Sequence, residues 1–299
     1  MTKEIQLVYR DINLQAKEVT HFWIDHKEKL NFLYEKSISF LKNNENAIIL
    51  GVGNGEDLPL KAVVDSFQST TLLDIDKDTL LETKYSLPSE LQKKVKSIVK
   101  DLTDADSKYT KKYSIALLVD KNSFTAKAIL DKLLTDQSIF PESPSPEKFQ
   151  FVISSTISTQ LVTLFTVLSS LYSGHMKTQL LEKSGELATK AAENHVTQIN
   201  NLLDSNNDSV ALITSEQYVW SLNEEVENGL IASIIENPRE MLIPDNQKEF
   251  EKHGLVITGR ITENMLQNFD ILHSEEWLWQ FSESRQYLVK GWIVRKSIT

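Results

Sequence analysis

Three glycines within five positions are the residues of this 299-residue chain whose spacing most clearly points to chemistry. The chain has only nine glycines, and Gly51, Gly53 and Gly55 form a G-x-G-x-G sequence, with Asn54 inside it, directly after the apolar run Ala47–Leu50. Glycine lets the backbone turn tightly and approach a ligand, and a following helix presents free N–H groups. The spacing therefore predicts a ligand-binding loop between a buried strand and a helix.

The residues after this loop argue against two phosphate-binding motifs. A dinucleotide loop has the spacing G-x-G-x-x-G, whereas Gly55 is followed here by Glu56, whose carboxylate would repel a pyrophosphate. A nucleoside-triphosphate loop needs Lys followed by Ser or Thr, and Lys61 comes too late and lacks that neighbour. Phosphate ligands are therefore disfavoured.

Acidic residues follow the next two predicted strands. Asp74, with Ile75 after it, lies about 20 residues beyond the glycines, the interval at which an acid accepts hydrogen bonds from ribose hydroxyls. Asp101 and Leu102 follow the third strand, where a carboxylate can accept from the exocyclic amine of adenine and a leucine can pack on the ring. Open α/β sheets bind ligands at these carboxyl ends of strands.

This ordered set resembles the class I S-adenosylmethionine-dependent methyltransferases, whose first three motifs are a G-x-G-x-G loop and an acid after each of the next two strands. The resemblance covers roughly residues 46–213 and is weaker toward the C-terminus. It implies that S-adenosylmethionine is the cofactor, and that Ser154 and Ser155, after the fourth strand, lie over its donor end. The sequence departs from the family at Ile49, where an acidic residue is frequent, and whether Asp57 takes over the contact to the methionine end is left open.

The elements that must position these residues alternate between strands and helices. Short apolar runs predict strands at residues 47–50, 71–73, 95–99, 149–153, 210–213, 255–257 and 287–294. This alternation predicts a mainly parallel sheet with helices on both faces. The resemblance implies a seven-stranded Rossmann-like sheet with an antiparallel last strand. An eighth strand-like run, Tyr113–Val119, exceeds that number, and we assign it to a mostly helical insertion at about residues 105–147.

Helical periodicity at the N-terminus predicts a cap in front of the sheet. Apolar residues recur at helical spacing from Leu14 to Leu41, which indicates one or two helices. We therefore expect a helical cap at 1–45 and a methyltransferase domain at 46–299. A long charged helix is predicted at Lys177–Leu203, with His195 on its solvated face.

The acceptor is less clearly encoded than the donor. Methyl transfer from a sulfonium is a direct displacement, so the protein mainly has to align the reactants and exclude water. The residues expected to line the acceptor pocket come from the N-terminal helix, the segment after the fourth strand and the segment after the fifth, namely Trp23, His26, Gln160, Tyr218 and Trp220. His26 is a candidate general base. The alternatives are a packed, hydrogen-bonded histidine and core aromatics.

Composition excludes several other classes. The chain has no cysteine, hence no disulfide or thiolate metal site, and its formal net charge of −10 disfavours nucleic acid as a partner. No carboxylate cluster lies in Ser154–Gln160, so no metal is expected. The N-terminus lacks the apolar core of a signal peptide, and the uncharged run 149–175 contains ten Ser or Thr, so we expect a cytoplasmic protein outside the membrane.

The sequence thus predicts metal-independent methyl transfer from S-adenosylmethionine to a small-molecule or peptide acceptor. Methyltransferases of amino groups on bases or glutamine carry an Asn/Asp-Pro-Pro-aromatic element after the fourth strand, and Ser154–Ile157 lacks it. Two alternatives stay open. One is a nicotinamide-dependent oxidoreductase, which Glu56 disfavours, and the other is a non-catalytic nucleoside-binding scaffold, which Ile49 makes conceivable.

Overall fold

A computed structural model of the protein describes residues 3–120, 123–205, 208–221, 229–252 and 259–297. Its strands are β1 (Asn46–Leu50), β2 (Ser69–Asp74), β3 (Val95–Val99), β4 (Phe151–Ser155), β5 (Val210–Ser221), β6 (Phe269–Gln280) and β7 (Arg285–Lys296). Its α-helices are α1 (Lys3–Glu18), α2 (Ile24–Ser39), α3 (Leu60–Ser66), α4 (Lys77–Tyr85), α5 (Ser89–Gln92), α6 (Ala105–Val119), α7 (Phe124–Thr135), α8 (Thr163–Leu171), α9 (Lys177–Leu202), α10 (Gly229–Glu236), α11 (Pro244–Lys252) and α12 (Gly259–Met265).

The strands form one seven-stranded sheet in the order β3-β2-β1-β4-β5-β7-β6. β1 to β5 pair in parallel, and β7 is antiparallel to both β5 and β6. The predicted Rossmann-like sheet with an antiparallel last strand is therefore confirmed. Because the chain leaves β1 toward β2 on one side and reaches β4 on the other, the strand order reverses at β1, the place where open α/β sheets bind ligands.

The core divides between the two faces of the sheet. Ile49 lies on one face with Leu30 and Leu33 of α2, and Ile48 lies on the other face with Val196 and Ile199 of α9. Strands covered on both faces are apolar at successive positions, which explains the short continuous runs in the sequence. A third apolar cluster joins α6, α7, α8 and α9. None of the described helices is both long and apolar enough to cross a membrane.

One predicted strand and one observed strand do not correspond. The predicted run Leu255–Ile257 lies outside the described residues, and the observed β6 was not predicted. β6 is an edge strand that carries His273, Ser274, Glu275 and Glu276 at its centre, and only Phe269, Trp277 and Trp279 are buried along it. Its polar residues concealed the period-two signal that a half-buried strand normally shows.

The run Tyr113–Val119 is the C-terminal half of α6 and not a strand. Thr110, Tyr113 and Ala116 are buried at spacings of three, whereas Leu118 and Val119 are exposed. A three-residue spacing of buried positions belongs to a helix, so the assignment of this run to a helical segment is confirmed. The division into an N-terminal cap and one domain remains a prediction.

Candidate active site

The carboxyl ends of five strands meet at one edge of the sheet. Leu50 pairs with both Leu73 and Ser154, Asp74 pairs with Val99, and Ser155 pairs with Thr214. The segments that follow these residues line a cavity of about 1300 Å³. Pockets for one ligand are commonly roughly 300–1,000 Å³. The cavity is therefore large enough for two ligands side by side.

The backbone of the loop adopts a conformation that favours glycine at all three glycine positions. Gly51, Gly53 and Gly55 have φ angles of +60°, +51° and +66°, in the left-handed region that side chains disfavour. A Cβ on Gly51 would lie 2.2 Å from the Cδ1 atom of Ile157. Gly51, Gly53 and Asn54 line the cavity, whereas Gly55 is not part of its described lining and serves the turn itself.

Asp74 joins the glycine loop to the second strand. Its Oδ2 accepts a hydrogen bond from the Gly53 N–H at 2.7 Å, and its Oδ1 accepts from the Asp76 N–H at 2.8 Å. Burial raises the pKa of this carboxyl to about 6, although the backbone bonds act against the shift. Asp74 and Ile75 both line the cavity. A carboxylate held in this way is placed to accept hydrogen bonds from a ligand's hydroxyl groups.

Asp101 is held by the start of α6. Its Oδ1 accepts from both the N–H and the hydroxyl of Thr103 at 2.9 Å, and its Oδ2 accepts from the Ser107 N–H at 2.9 Å. Asp101 and Leu102 line the cavity. The carboxylate thus also caps a helix N-terminus, where free N–H groups and the helix dipole favour a negative charge.

Helix α1 covers this part of the cavity through polar contacts that sequence reasoning did not anticipate. The Tyr9 hydroxyl donates to Asp106, whose other oxygen accepts from Thr110 at 3.0 Å. Burial and the charge of Asp101 raise the pKa of Asp106 to about 7. The Asn13 side-chain amide donates to Asp76 at 3.2 Å, and the Asn13 carbonyl accepts from Asn54 at 3.2 Å.

Two further carboxylates, Asp57 and Glu216, line the same cavity. The Ser155 hydroxyl donates to Asp57 at 3.1 Å, and the Thr159 hydroxyl donates to Glu216. Burial raises the pKa of Asp57. Burial also raises the pKa of Glu216 to about 7, and the charge of Asp57 makes a smaller contribution in the same direction. Both carboxyl groups are thus poorly solvated and have hydroxyl groups as hydrogen-bond donors.

Four aromatic side chains form one wall of the same cavity, and we call them the aromatic wall: Trp23, Trp279, Phe281 and Tyr287. The Trp279 ring lies 5.4 Å from the Trp23 ring and 5.5 Å from the Tyr287 ring, centroid to centroid. The Trp23 indole N–H donates to the Phe281 carbonyl at 2.8 Å, which ties the N-terminal segment to the β6–β7 hairpin. Of the predicted substrate residues, Trp23 and Gln160 line the cavity.

Three other predicted substrate residues do not belong to the described lining. His26 is 1% exposed, accepts from the Trp277 indole N–H at 3.0 Å and stacks on Trp279 at 4.0 Å. Burial lowers its pKa to about 3, so the ring is neutral. Tyr218 and Trp220 are buried at 0% and 4% exposure, on core positions of β5, because the strand continues to Ser221 and does not end at Ile213. The packed alternatives for these three residues are thus observed.

The predicted cofactor residue Ser154 also lies outside the described lining. Its hydroxyl is hydrogen-bonded at 2.7 Å to the Nε2 atom of His195, whose Nδ1 is 3.4 Å from Gln198. His195 is 1% exposed, so its prediction on a solvated face was wrong. Helix α9 lies against the sheet, and the charged residues of its outer face concealed the buried side. Burial lowers the pKa of His195 to about 4.

The other predicted cofactor residue of this strand, Ser155, does line the cavity.

The sequence held partial signals for the residues that were missed. Glu216 begins the segment that was expected to contact substrate, but Tyr218 and Trp220 drew the prediction to the wrong positions of the strand. Tyr287 was predicted at the start of the last strand but was not linked to the cavity, and Phe281 was missed because β6 itself was not recognised. Tyr9 and Asn13 lie four residues apart on α1, a spacing that puts both on one helix face.

The charges of the lining are strongly unequal. Six acidic side chains line the cavity, namely Glu18, Asp57, Asp74, Asp101, Asp106 and Glu216, against two basic ones, Lys100 and Arg285, among the described residues. The Lys100 ammonium donates to the Pro144 carbonyl at 3.0 Å. An acidic, poorly solvated cavity favours a cationic ligand over a phosphate. Within the described part of the chain, no group of three or more His, Asp or Glu is placed to hold a metal ion.

No model of a protein family and no curated protein matches the sequence. Solved structures similar to this chain include the N-methyltransferase NodS from Bradyrhizobium japonicum WM9, at 8% identity and a TM-score of 0.40, over 90% of this chain and 94% of that chain. They also include a SAM-dependent methyltransferase from Leishmania major, at 11% identity and a TM-score of 0.42, over 91% and 71%. Another, from Methanosarcina mazei, has 12% identity and a TM-score of 0.43, over 87% and 96%.

Proposed function

We propose that the protein binds S-adenosylmethionine in this cavity and transfers the methyl group to a small-molecule or peptide acceptor without a metal ion. The observation that carries the proposal is the convergence of the left-handed glycine loop, Asp74 and Asp101–Leu102 on one cavity. These are the three segments whose order in the sequence resembles the class I methyltransferases. When bound, the cofactor supplies an electrophilic methyl group on a sulfonium.

The residues present fit this cofactor. Gly51 leaves a space that a Cβ would fill, so the loop backbone can approach the ligand closely. Asp74 would accept the ribose hydroxyls, Asp101 would accept the adenine amine beside Leu102, and Asp57 would meet the ammonium of the methionine end. This last role compensates for Ile49, whose side chain is buried in the core and not in the cavity.

The charge of the cavity favours this cofactor over a nicotinamide dinucleotide. S-adenosylmethionine carries a positive sulfonium, whereas NAD carries an anionic pyrophosphate that six acidic lining residues would repel. The Gly53 N–H, which a pyrophosphate would need, donates instead to Asp74. Burial of the reactants behind α1 and the aromatic wall would exclude water from the displacement.

Isothermal titration of the full chain with S-adenosylmethionine, S-adenosylhomocysteine and NAD tests the proposal. We expect both adenosyl compounds to bind and NAD not to bind. Asp74→Asn should weaken adenosylhomocysteine binding about tenfold or more, because a neutral amide accepts ribose hydroxyls less strongly than a carboxylate. The matched control is Asp65→Asn, an exposed carboxylate of α3 outside the cavity, which should bind like the wild type.

Two results would contradict the proposal. Binding of NAD without binding of either adenosyl compound would favour the oxidoreductase. If adenosylhomocysteine binds but no labelled methyl group reaches any acceptor in a broad screen of small molecules and peptides, the chain would be a binding protein and not a transferase.

A further inference from the structure

We propose that the acceptor is an amine that binds as an ammonium cation between Glu216 and the aromatic wall. This inference rests on the proposed function, since it assigns the half of the cavity that the donor leaves free. The donor accounts for the glycine loop, Asp57, Asp74 and Asp101. It does not account for Glu216, Trp279, Phe281 and Tyr287, which line the same cavity.

Glu216 is a buried carboxylate without a cationic partner in the described hydrogen bonds. It is 5% exposed, its side-chain donor is the Thr159 hydroxyl, and it is not part of any described ion pair. Burying an unpaired carboxylate is costly, and the raised pKa of Glu216 reflects that cost. A ligand ammonium at this position would supply the missing positive charge and a charge-assisted hydrogen bond.

The aromatic wall lies within electrostatic reach of this carboxylate. Burial raises the pKa of the Tyr287 hydroxyl, and the charge of Glu216 raises it further by a smaller amount. Tyr287 is packed against Trp279 at 5.5 Å and Phe281 at 5.7 Å between ring centroids. The faces of aromatic rings attract cations, and several rings beside a carboxylate are a common arrangement for binding an ammonium group.

The position of Glu216 in the sheet places it beyond the donor segments. Thr214, two residues earlier, pairs with Ser155 at the end of β4, and a bulge follows between Glu216 and Tyr218. The bulge changes the alternation of the strand, so that Glu216 and Val219 line the cavity while Tyr218 is buried. Bulges that re-aim a side chain in this way are frequent beside active sites.

The basic residues of the lining do not oppose an ammonium at this point. Lys100 lies after β3 and is bonded to the Pro144 carbonyl, far along the sheet from β5. Arg285 is exposed at the first residue of β7, so solvent screens its charge. An acceptor with a carboxylate besides its amine would find its partner in Arg285.

The test compares two probes of equal shape, 2-phenylethylamine and 2-phenylethanol, by titration at pH 8 with and without saturating S-adenosylhomocysteine. We expect the amine to bind at least about tenfold more tightly than the alcohol. We also expect the amine and S-adenosylhomocysteine to bind to the protein at the same time. Glu216→Gln keeps the hydrogen bond from Thr159 but removes the charge, and should reduce the preference to about threefold or less. Glu147→Gln, an exposed carboxylate paired with Lys96, is the matched control and should keep the preference.

Equal binding of amine and alcohol to the wild type, with or without S-adenosylhomocysteine, would overturn the inference whatever the variants do. So would competition between the amine and S-adenosylhomocysteine, since the cation site would then belong to the donor. Trp279→Leu gives a second reading if Glu216→Gln does not fold, and should weaken amine binding more than alcohol binding. Failure of S-adenosylhomocysteine to bind would instead overturn the proposed function, and the amine preference of the free protein would still be measured.

Discussion

At the scale of single residues, the glycine loop is determined by backbone conformation. A left-handed φ costs a non-glycine residue about 1 kcal/mol or more, and Gly51 has in addition no room for a Cβ beside Ile157. Ile157 is a flexible side chain whose end can move, so the strain at φ +60° is the more certain part of the cost. The same three glycines that keep the loop close to a ligand therefore also determine its stability.

We expect Gly51→Ala to lower the free energy of unfolding by about 1–3 kcal/mol and to weaken binding of S-adenosylhomocysteine. Urea denaturation and titration measure the two effects. The chain offers a contrasting control in Gly185, which lies inside α9 with open space around it. Gly185→Ala should raise stability by about 0.5–1 kcal/mol, because alanine restricts the unfolded chain and favours a helix. Stabilisation by both substitutions would contradict the assigned conformation of the loop.

At the scale of elements, α1 covers the cavity next to Asp76 and Asp106 through a few polar contacts. Tyr9 bonds to Asp106 and Asn13 bonds to Asp76, while the Arg10 ion pairs with Asp78 and Glu82 are exposed and contribute little. Helix α1 makes few apolar contacts with the sheet. A helix held mainly by polar contacts opens locally at a low free-energy cost. A ligand as large as the proposed cofactor would enter most directly past this helix.

We expect saturating S-adenosylhomocysteine to slow amide hydrogen exchange in α1 by about twofold to tenfold, because the ligand adds contacts that keep the helix closed. Exchange in α7 should not change, since α7 is outside the cavity lining. Tyr9→Phe removes the bond to Asp106 and should speed exchange in free α1. Mass-spectrometric exchange with equal rates in the bound and free protein would show that α1 does not act as a cover.

At the scale of the whole molecule, buried carboxylates make stability depend on pH. Burial raises the pKa of Asp106 to about 7 from an ordinary value of 3.8. The folded protein therefore retains this proton between pH 4 and 7, whereas the unfolded chain loses it. A group of this kind stabilises the fold below its unfolded pKa, and that contribution is lost as the pH rises through the folded pKa. Asp74 and Glu216 act in the same direction.

Asp106→Asn has no proton to lose and keeps one acceptor oxygen for either Tyr9 or Thr110, while its NH2 group can donate to the other hydroxyl. Because the wild type loses this contribution as the pH rises and the variant does not, we expect the free energy of unfolding of the variant minus that of the wild type to increase by about 1–3 kcal/mol from pH 5 to pH 8. Urea denaturation at both pH values measures this difference. An equal change in the free energy of unfolding of the two proteins between pH 5 and pH 8 would mean that Asp106 is already ionised in the folded protein at pH 5.

Local sequence was sufficient to predict most of the sheet and the three segments that we propose hold the donor. The strands buried on both faces gave continuous apolar runs, and the glycine loop, Asp74 and Asp101 follow those strands directly, so that parallel pairing was sufficient to bring them to one edge. The edge strand β6 escaped prediction because its exposed polar residues break the alternation, and Tyr113–Val119 showed that a short apolar run does not distinguish a helix from a strand.

The sequence by itself determined the class of the sheet, the glycine loop and the two acids after its neighbouring strands, because each depends on residues adjacent in the chain. Only the tertiary structure decided which side chains face the second half of the cavity. A bulge selects Glu216 over Tyr218, and the pairing of β6 with β7 brings Trp279 beside Trp23 from 256 positions away in the chain. Contacts across such separations depend on packing and strand register, which no local pattern encodes.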